Sequence, residues 1–164
     1  PNGEIHKAIT HLFALMVFNN DINVDNENGE NLFEIGSFED IITLLNSIMH
    51  SVPYENYPIL SKAAVQNSIR LYLAGAGMEA KSEVLEAKGR ADLILETDNR
   101  RIVFELKFAQ NDEEAKIKLK EAVEQIKSRD YGNILPVKKE LIRIAAVFNA
   151  DPKVRAFKEF ENVM

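Results

Sequence analysis

Residues 89–108, GRADLILETDNRRIVFELKF, decide how the rest of the chain reads. They divide into two apolar-rich runs, Ala91–Glu96 and Ile102–Phe108, joined across Thr97-Asp98-Asn99-Arg100. A short polar connection between runs of this type predicts a β-hairpin. Strand side chains alternate between faces. Ile102, Phe104, Leu106 and Phe108 should therefore point one way, and Val103, Glu105 and Lys107 the other. In the first run Asp92 should share a face with Ile94 and Glu96, opposite Ala91, Leu93 and Leu95. The discordant feature is Glu105 and Lys107 within the most apolar strand of the chain. Charges withdrawn from water are costly unless they are paired or bind a metal. A strand that retains them usually does so for chemistry.

Working outward, Met78–Leu85 reads as a strand leading through the turn Glu86–Gly89 into the hairpin. Before it, Pro58 suits the first turn of a helix running to about Ala74, which Gly75 and Gly77 end. After the hairpin, Asn111 or Asp112 caps a helix extending to about Ser128. Its stripe of Ala115, Leu119, Ala122 and Ile126 should face the sheet, and its other side is rich in lysine and glutamate. Beyond the loop Tyr131–Lys139, Leu141–Phe148 is a nearly continuous apolar run, as a buried central strand requires. Val154–Phe160 is predicted as a final edge strand. This order, α-β-β-β-α-β, implies an α/β fold with a mixed sheet flanked by helices.

Two helices precede that core. Residues 3–19 carry Ile5, Ile9, Leu12, Phe13, Leu15, Met16 and Phe18 at mostly helical spacing, with Asn2 as the cap. Ser37 with Asp40 forms a capping box opening a helix over 38–50. Between them, Asn19–Asn31 (NNDINVDNENGEN) is a polar loop whose acidity suggests calcium, but the EF-hand spacing and terminal glutamate are wrong. Residues 1–56 are thus expected to form an N-terminal helical extension packing on the core, and residues 57–164 the core itself.

Composition narrows the chemistry. With 164 residues, 46% hydrophobic and 28% charged, the chain suits an ordinary globular domain with a sizeable core. It has no cysteine, so disulfides, thiolate zinc sites and cysteine nucleophiles are excluded. No membrane span or signal peptide is evident, and a cytoplasmic setting is expected. The chain begins at Pro1, as an excised fragment or a chain that had lost its initiator would. Its net charge is −6, which argues against nucleic-acid binding by bulk electrostatics. The distribution is uneven. Residues 1–60 hold one basic side chain, Lys7, against nine acidic ones, leaving 19 basic and 17 acidic residues in the remainder. A polyanion would have to approach the C-terminal two-thirds. His6, His11 and His50 read as ordinary helix residues, since five-residue spacing does not bring His6 and His11 onto one helical face.

Asp92 followed by Glu105-Leu106-Lys107 is the acid, then acid-x-lysine arrangement of a metal-dependent phosphodiesterase. If the strands pair, the two carboxylates converge at one end of the sheet. Together with the Leu106 backbone carbonyl they would hold Mg²⁺, which typically takes one or two carboxylates and keeps several waters. Lys107 would orient or deprotonate the attacking water. The triplet itself is common: the same spacing recurs at Glu79–Lys81, Glu86–Lys88, Glu114–Lys116 and Asp151–Lys153. Apolar strand context, an acid one hairpin upstream and a helix directly downstream single out Glu105. The competing reading is a Glu–Lys pair on the open face of a sheet.

At this point GRADLILET…RIVFELKF…EEA…EQIKSRDY…IRIAAVFN resembles the PD-(D/E)XK nuclease superfamily. The nearest likeness is to a bacterial branch whose nuclease-like domain follows an AAA-type ATPase-like domain. Pro1-Asn2-Gly3-Glu4-Ile5 is similar to the segment that opens the C-terminal part of that branch. The resemblance implies a restriction-endonuclease-like αβββαβ core, a Mg²⁺ or Mn²⁺ cofactor, and nucleic acid, DNA first, as partner. It further implies an ATPase-like domain in the same full-length polypeptide. It makes Asp92 and Glu105 metal ligands, Lys107 catalytic, and Gln125 and Tyr131 supporting residues, with Glu83 where the branch often has an acid. One position departs: many members carry an acid on the first core helix where this chain has Lys62. Glu83 could take its place, or the domain could be a catalytically degenerate interaction or regulatory module of a larger ATPase-containing protein.

Overall fold

The computed structural model describes residues 32–86, 88–131 and 138–164, with Glu4 besides. The helix expected over 3–19, the loop Asn19–Asn31, and His6 and His11 lie outside the described residues, as does most of the loop after Tyr131. The described elements are α1 (Phe38–Ser51), α2 (Lys62–Gly75), β1 (Ala80–Glu86), β2 (Gly89–Glu96), β3 (Arg100–Ala109), α3 (Asp112–Arg129), β4 (Glu140–Asn149) and β5 (Ala156–Asn162). None of these helices is long and apolar enough to cross a membrane.

Local signals account for most helix ends. At α1 the Ser37 hydroxyl accepts from Asp40 N–H at 3.1 Å, and the Asp40 carboxylate accepts from Ser37 N–H at 2.9 Å, the reciprocal capping box. α3 is capped by Asn111, whose side chain accepts from Glu114 N–H, and Asp112, Glu113 and Glu114 complement its N-terminal dipole. α2 ends in a Schellman motif. Met78 N–H reaches Leu73 C=O, Gly77 N–H reaches Ala74 C=O, and Gly77 adopts φ +80°. Its start differs from the expectation. Pro58 is not in the helix; Ser61 caps it, accepting from Ala64 N–H at 3.1 Å, so Lys62 becomes the first helical residue. A side-chain oxygen that satisfies an orphan donor outweighs the fixed φ of a nearby proline.

The sheet has order β1-β2-β3-β4-β5. β1, β2 and β3 form an antiparallel meander, β3 and β4 run parallel across the α3 crossover, and β5 is an antiparallel edge strand. β4 is interior, as its unbroken apolar run suggested, while β3 occupies the centre of the order. One face carries Leu93, Leu95, Ile102, Phe104, Leu106, Ile144, Ala146 and Phe148 against buried residues of α1 and α2, such as Ile41, Leu45, Val65 and Ile69. The opposite face packs Ile94, Val103 and Ala145 under Ala122 and Ile126 of α3. The predicted division of β3 between faces is therefore the observed one.

β2 departs from strict alternation. Ala91 lies with Ile94 in the α3 layer, not with Leu93 and Leu95 as expected. The β1–β2 register explains the change. It runs through Ala80–Leu95, Lys81–Ile94 and Ser82–Leu93, omits the Glu83–Asp92 step, and resumes at Val84–Ala91. Glu83 has φ +51°, a left-handed conformation that re-aims the strand as a bulge does. Across the same rung β1 also changes sides: Ala80 packs with the α1–α2 layer and Val84 with the α3 layer. Both strands thus swap faces at the level of Asp92.

Ser61 sets both the start of α2 and the location of Lys62. Ser61→Ala is expected to lower unfolding free energy by about 1 kcal/mol in urea titration, with Ser61→Asp close to the parent. Equal midpoints for all three chains would show that the Ser61 side chain does not stabilise α2.

Candidate active site at the strand fork

Pairing between β2 and β3 runs from Glu96–Arg101 to Leu93–Phe104 and stops there. Continued by one step, the register would set Asp92 opposite Glu105. Instead the strands part. The Asp92 carboxylate fills the fork, with Oδ2 accepting from Leu106 N–H at 2.8 Å in place of a backbone ladder bond. A strand residue's N–H and C=O point to the same side, so the Leu106 carbonyl faces this fork as well.

The two acids differ sharply in their surroundings. Asp92 is buried but satisfied, since Oδ1 lies 2.7 Å from Lys62 Nζ. Glu105 has no exposed surface, and neither carboxylate oxygen has a hydrogen-bond donor among the described residues. Lys107 Nζ lies 3.0 Å from Glu105 Oε1 as an ion pair. Burial, and next the charge of Asp92, push the Glu105 carboxyl up to about 7, against the opposing pull of Lys107 and Lys62. Partial burial pulls Lys62 down, but its hydrogen bond to Asp92 and the Asp92 charge outweigh this and raise it.

A polar chain leads away from Lys107 along α3. Lys107 Nζ donates to Gln125 Oε1 at 2.8 Å, and Gln125 Nε2 donates to the Tyr131 hydroxyl at 3.2 Å. Arg129 donates to the same hydroxyl at 2.8 Å. The tyrosine, wholly buried, accepts from both and so orients the amide with its oxygen toward the lysine. Arg129 reaches it by lying across Gly89, where a Cβ would come within 2.7 Å of the arginine Cδ. Glycine at 89 is required for that approach.

Asp92, Glu105, Lys107, Gln125 and Tyr131 are thus brought into one connected cluster. Glu83 is set to the side. It is exposed and accepts from Gln66 Nε2 at 3.3 Å, and Lys62 lies in electrostatic reach of it and of both inner acids. No group of three or more acidic or histidine side chains suited to a metal occurs among the described residues. Two carboxylates and one carbonyl remain, a set matched to a magnesium-type ion that keeps most of its waters. The orphaned oxygens of Glu105 fit such a cation: a buried carboxylate without donors is the arrangement a metal ligand has before its ion arrives.

Residues 63–158, more than half of the chain, match the family model of the PD-(D/E)XK nuclease superfamily. The chain belongs to that superfamily. Among curated proteins no match was found. The five-stranded mixed sheet between helices is consistent with the restriction-endonuclease-like α/β fold of PD-(D/E)XK nucleases. The matched region includes the forked strands, α3 and most of α2.

Two contacts of the candidate site carry no local signal in the sequence. Lys62 stood out there only as a missing acid, and its ion pair with Asp92 spans thirty residues of chain, beyond any local pattern. Arg129 had one distant signal, the glycine directly before Arg90-Ala91-Asp92, because a glycine opening a strand marks close approach of another group.

A carboxyl raised to about 7 holds its proton in the folded chain between about pH 4.5 and 7, where the unfolded chain has lost it. Its contribution to stability is therefore present at low pH and lost as pH rises through about 7. Glu105→Gln is expected to stabilise the metal-free protein by on the order of 2 kcal/mol above about pH 8, with the gain shrinking as pH falls and vanishing below about pH 4. Thermal melts of both chains across this range, in chelator, test the sign; a constant difference would show that Glu105 does not titrate there.

Proposed function

We propose that this domain hydrolyses phosphodiester bonds of nucleic acid, with DNA as the first substrate to test, using one Mg²⁺ or Mn²⁺ ion held by Asp92, Glu105 and the Leu106 carbonyl. The observation that carries this reading is the buried Glu105 carboxylate, without hydrogen-bond donors, beside Asp92 at a break in the sheet. Membership of a nuclease superfamily supports the reaction class. A divalent ion at this position would supply Lewis acidity toward water and toward a phosphoryl oxygen.

The protein side chains divide the remaining work. Glu105 and Asp92 provide hard anionic oxygens, and the fork fixes their separation because Asp92 is tethered to Leu106 N–H. Lys107 is an ion-paired ammonium directed by the Gln125 oxygen. There it orients the attacking water, whose proton passes to bulk solvent, and meets negative charge developing on the phosphoryl oxygens. Gln125 and Tyr131 act as positioning residues, since they reach the site only through the lysine. Glu83 supports the outer rim through Gln66 and its field on Lys62. The branch resemblance of the first five residues supports a companion proposal, that the domain acts beside an ATPase-like domain of the same polypeptide.

Incubation with double-stranded DNA, single-stranded DNA and RNA tests the reaction. Cleavage is expected with Mg²⁺ or Mn²⁺, abolished by chelator, and reduced at least about a hundredfold in Glu105→Gln and in Lys107→Ala. Gln125→Ala should lose less, with the defect in turnover rather than in substrate binding. Full activity in both Glu105→Gln and Lys107→Ala would remove this site from the reaction.

A further inference from the structure

Lys62 holds one of the two inner acids before any metal is considered. Its Nζ lies 2.7 Å from Asp92 Oδ1, and the remaining Asp92 oxygen is taken by Leu106 N–H. The Lys62 side chain is 38% exposed, whereas that of Asp92 is 5% exposed. The ammonium therefore approaches from the open side of the fork while the carboxylate is sunk within it. Lys107 faces Glu105 as an ion pair at 3.0 Å. Two acids thus face two ammonium groups, and the charge of the cluster is balanced without a divalent ion.

A dication held by Asp92 and Glu105 would change this balance. It needs an Asp92 oxygen, and the oxygen not tied to the backbone is the one that Lys62 occupies. It also brings two positive charges close to an ammonium, a repulsion that water screens poorly in a partly buried site. Lysine is suited to yield, since its compact head group rides on a flexible stem and the Lys62 side chain is partly exposed. Resting on the metal-site reading above, we propose that Lys62 is a tethered cation that competes with the divalent ion for Asp92 and must leave Oδ1 for the ion to bind.

Isothermal titration of Mn²⁺ into the full chain measures this directly, without reference to cleavage. Lys62→Met removes the charge and keeps the length of the stem. Lys62→Gln keeps a hydrogen-bond donor for Asp92 should the methionine variant fold poorly, and circular dichroism checks both. Each neutral variant is expected to bind Mn²⁺ about ten- to a hundredfold more tightly than the parent, the scale of one charge-assisted hydrogen bond. Lys62→Arg, still cationic, should stay near the parent. Binding by the parent with no gain in the folded neutral variants would overturn the competition and leave the metal site standing. Binding only in the neutral variants would support the competition while removing metal-dependent hydrolysis from the parent chain. Absence of binding in every folded chain would overturn both.

Discussion

An ionisable carboxylate enclosed on the central strand of a sheet has few stable solutions. Desolvation costs a carboxylate several kcal/mol even after the surroundings relax, and Glu105 recovers none of this through hydrogen bonds from described residues. What it has is Lys107 at 3.0 Å and the field of Lys62 one residue further out. The rest of the site follows from holding those charges. Gln125 fixes Lys107, Tyr131 fixes Gln125, and Arg129 fixes Tyr131 across the space left by Gly89. Each link is modest by itself. Together they hold Lys107 as the charge partner of a buried carboxylate whose oxygens have no hydrogen bond among the described residues.

The same constraint shapes the sheet. A regular β2–β3 ladder past Leu93 would bring Asp92 directly across from Glu105, two carboxylates at the closest spacing that a sheet allows, which is destabilising. Parting the strands lets Asp92 turn onto Leu106 N–H, so a side chain replaces the lost backbone acceptor and the donor is not orphaned. The outer strand adjusts at the same rung through the left-handed Glu83, and both strands exchange faces there. Local strain in the backbone and the concentration of charge thus occur at one level of the sheet, where strained conformations commonly serve a site.

The helices complete the geometry from both sides. α3, the crossover between the parallel strands β3 and β4, packs its small residues Ala115 and Ala122 close to the sheet and so brings Gln125 within reach of Lys107. From the other layer α2 begins at Lys62 because Ser61 caps it, and a first-turn lysine projects beyond the sheet toward the fork. A helix starting at Pro58 would have placed that side chain inside the helix. The cap therefore bears on the electrostatics of the site as well as on helix stability.

Much of this was legible in the residues. Alternation of apolar positions placed Ile102, Phe104 and Leu106 on one face and Val103, Glu105 and Lys107 on the other, because side-chain direction in a strand depends only on parity. Capping chemistry marked Ser37–Asp40 and the pair Asn111/Asp112, of which Asn111 is the cap, because such bonds close within three residues. The discord of Glu105 among apolar neighbours was equally a matter of local sequence. The structure alone decided where parity fails, at Ala91, since that depends on the unpaired Glu83–Asp92 rung and the left-handed backbone of Glu83 in the neighbouring strand. It also decided what Lys62 and Arg129 touch. Those contacts arise only when a helix start, a strand opening and a helix end are carried together by packing, and no spacing along the chain encodes the distance between them.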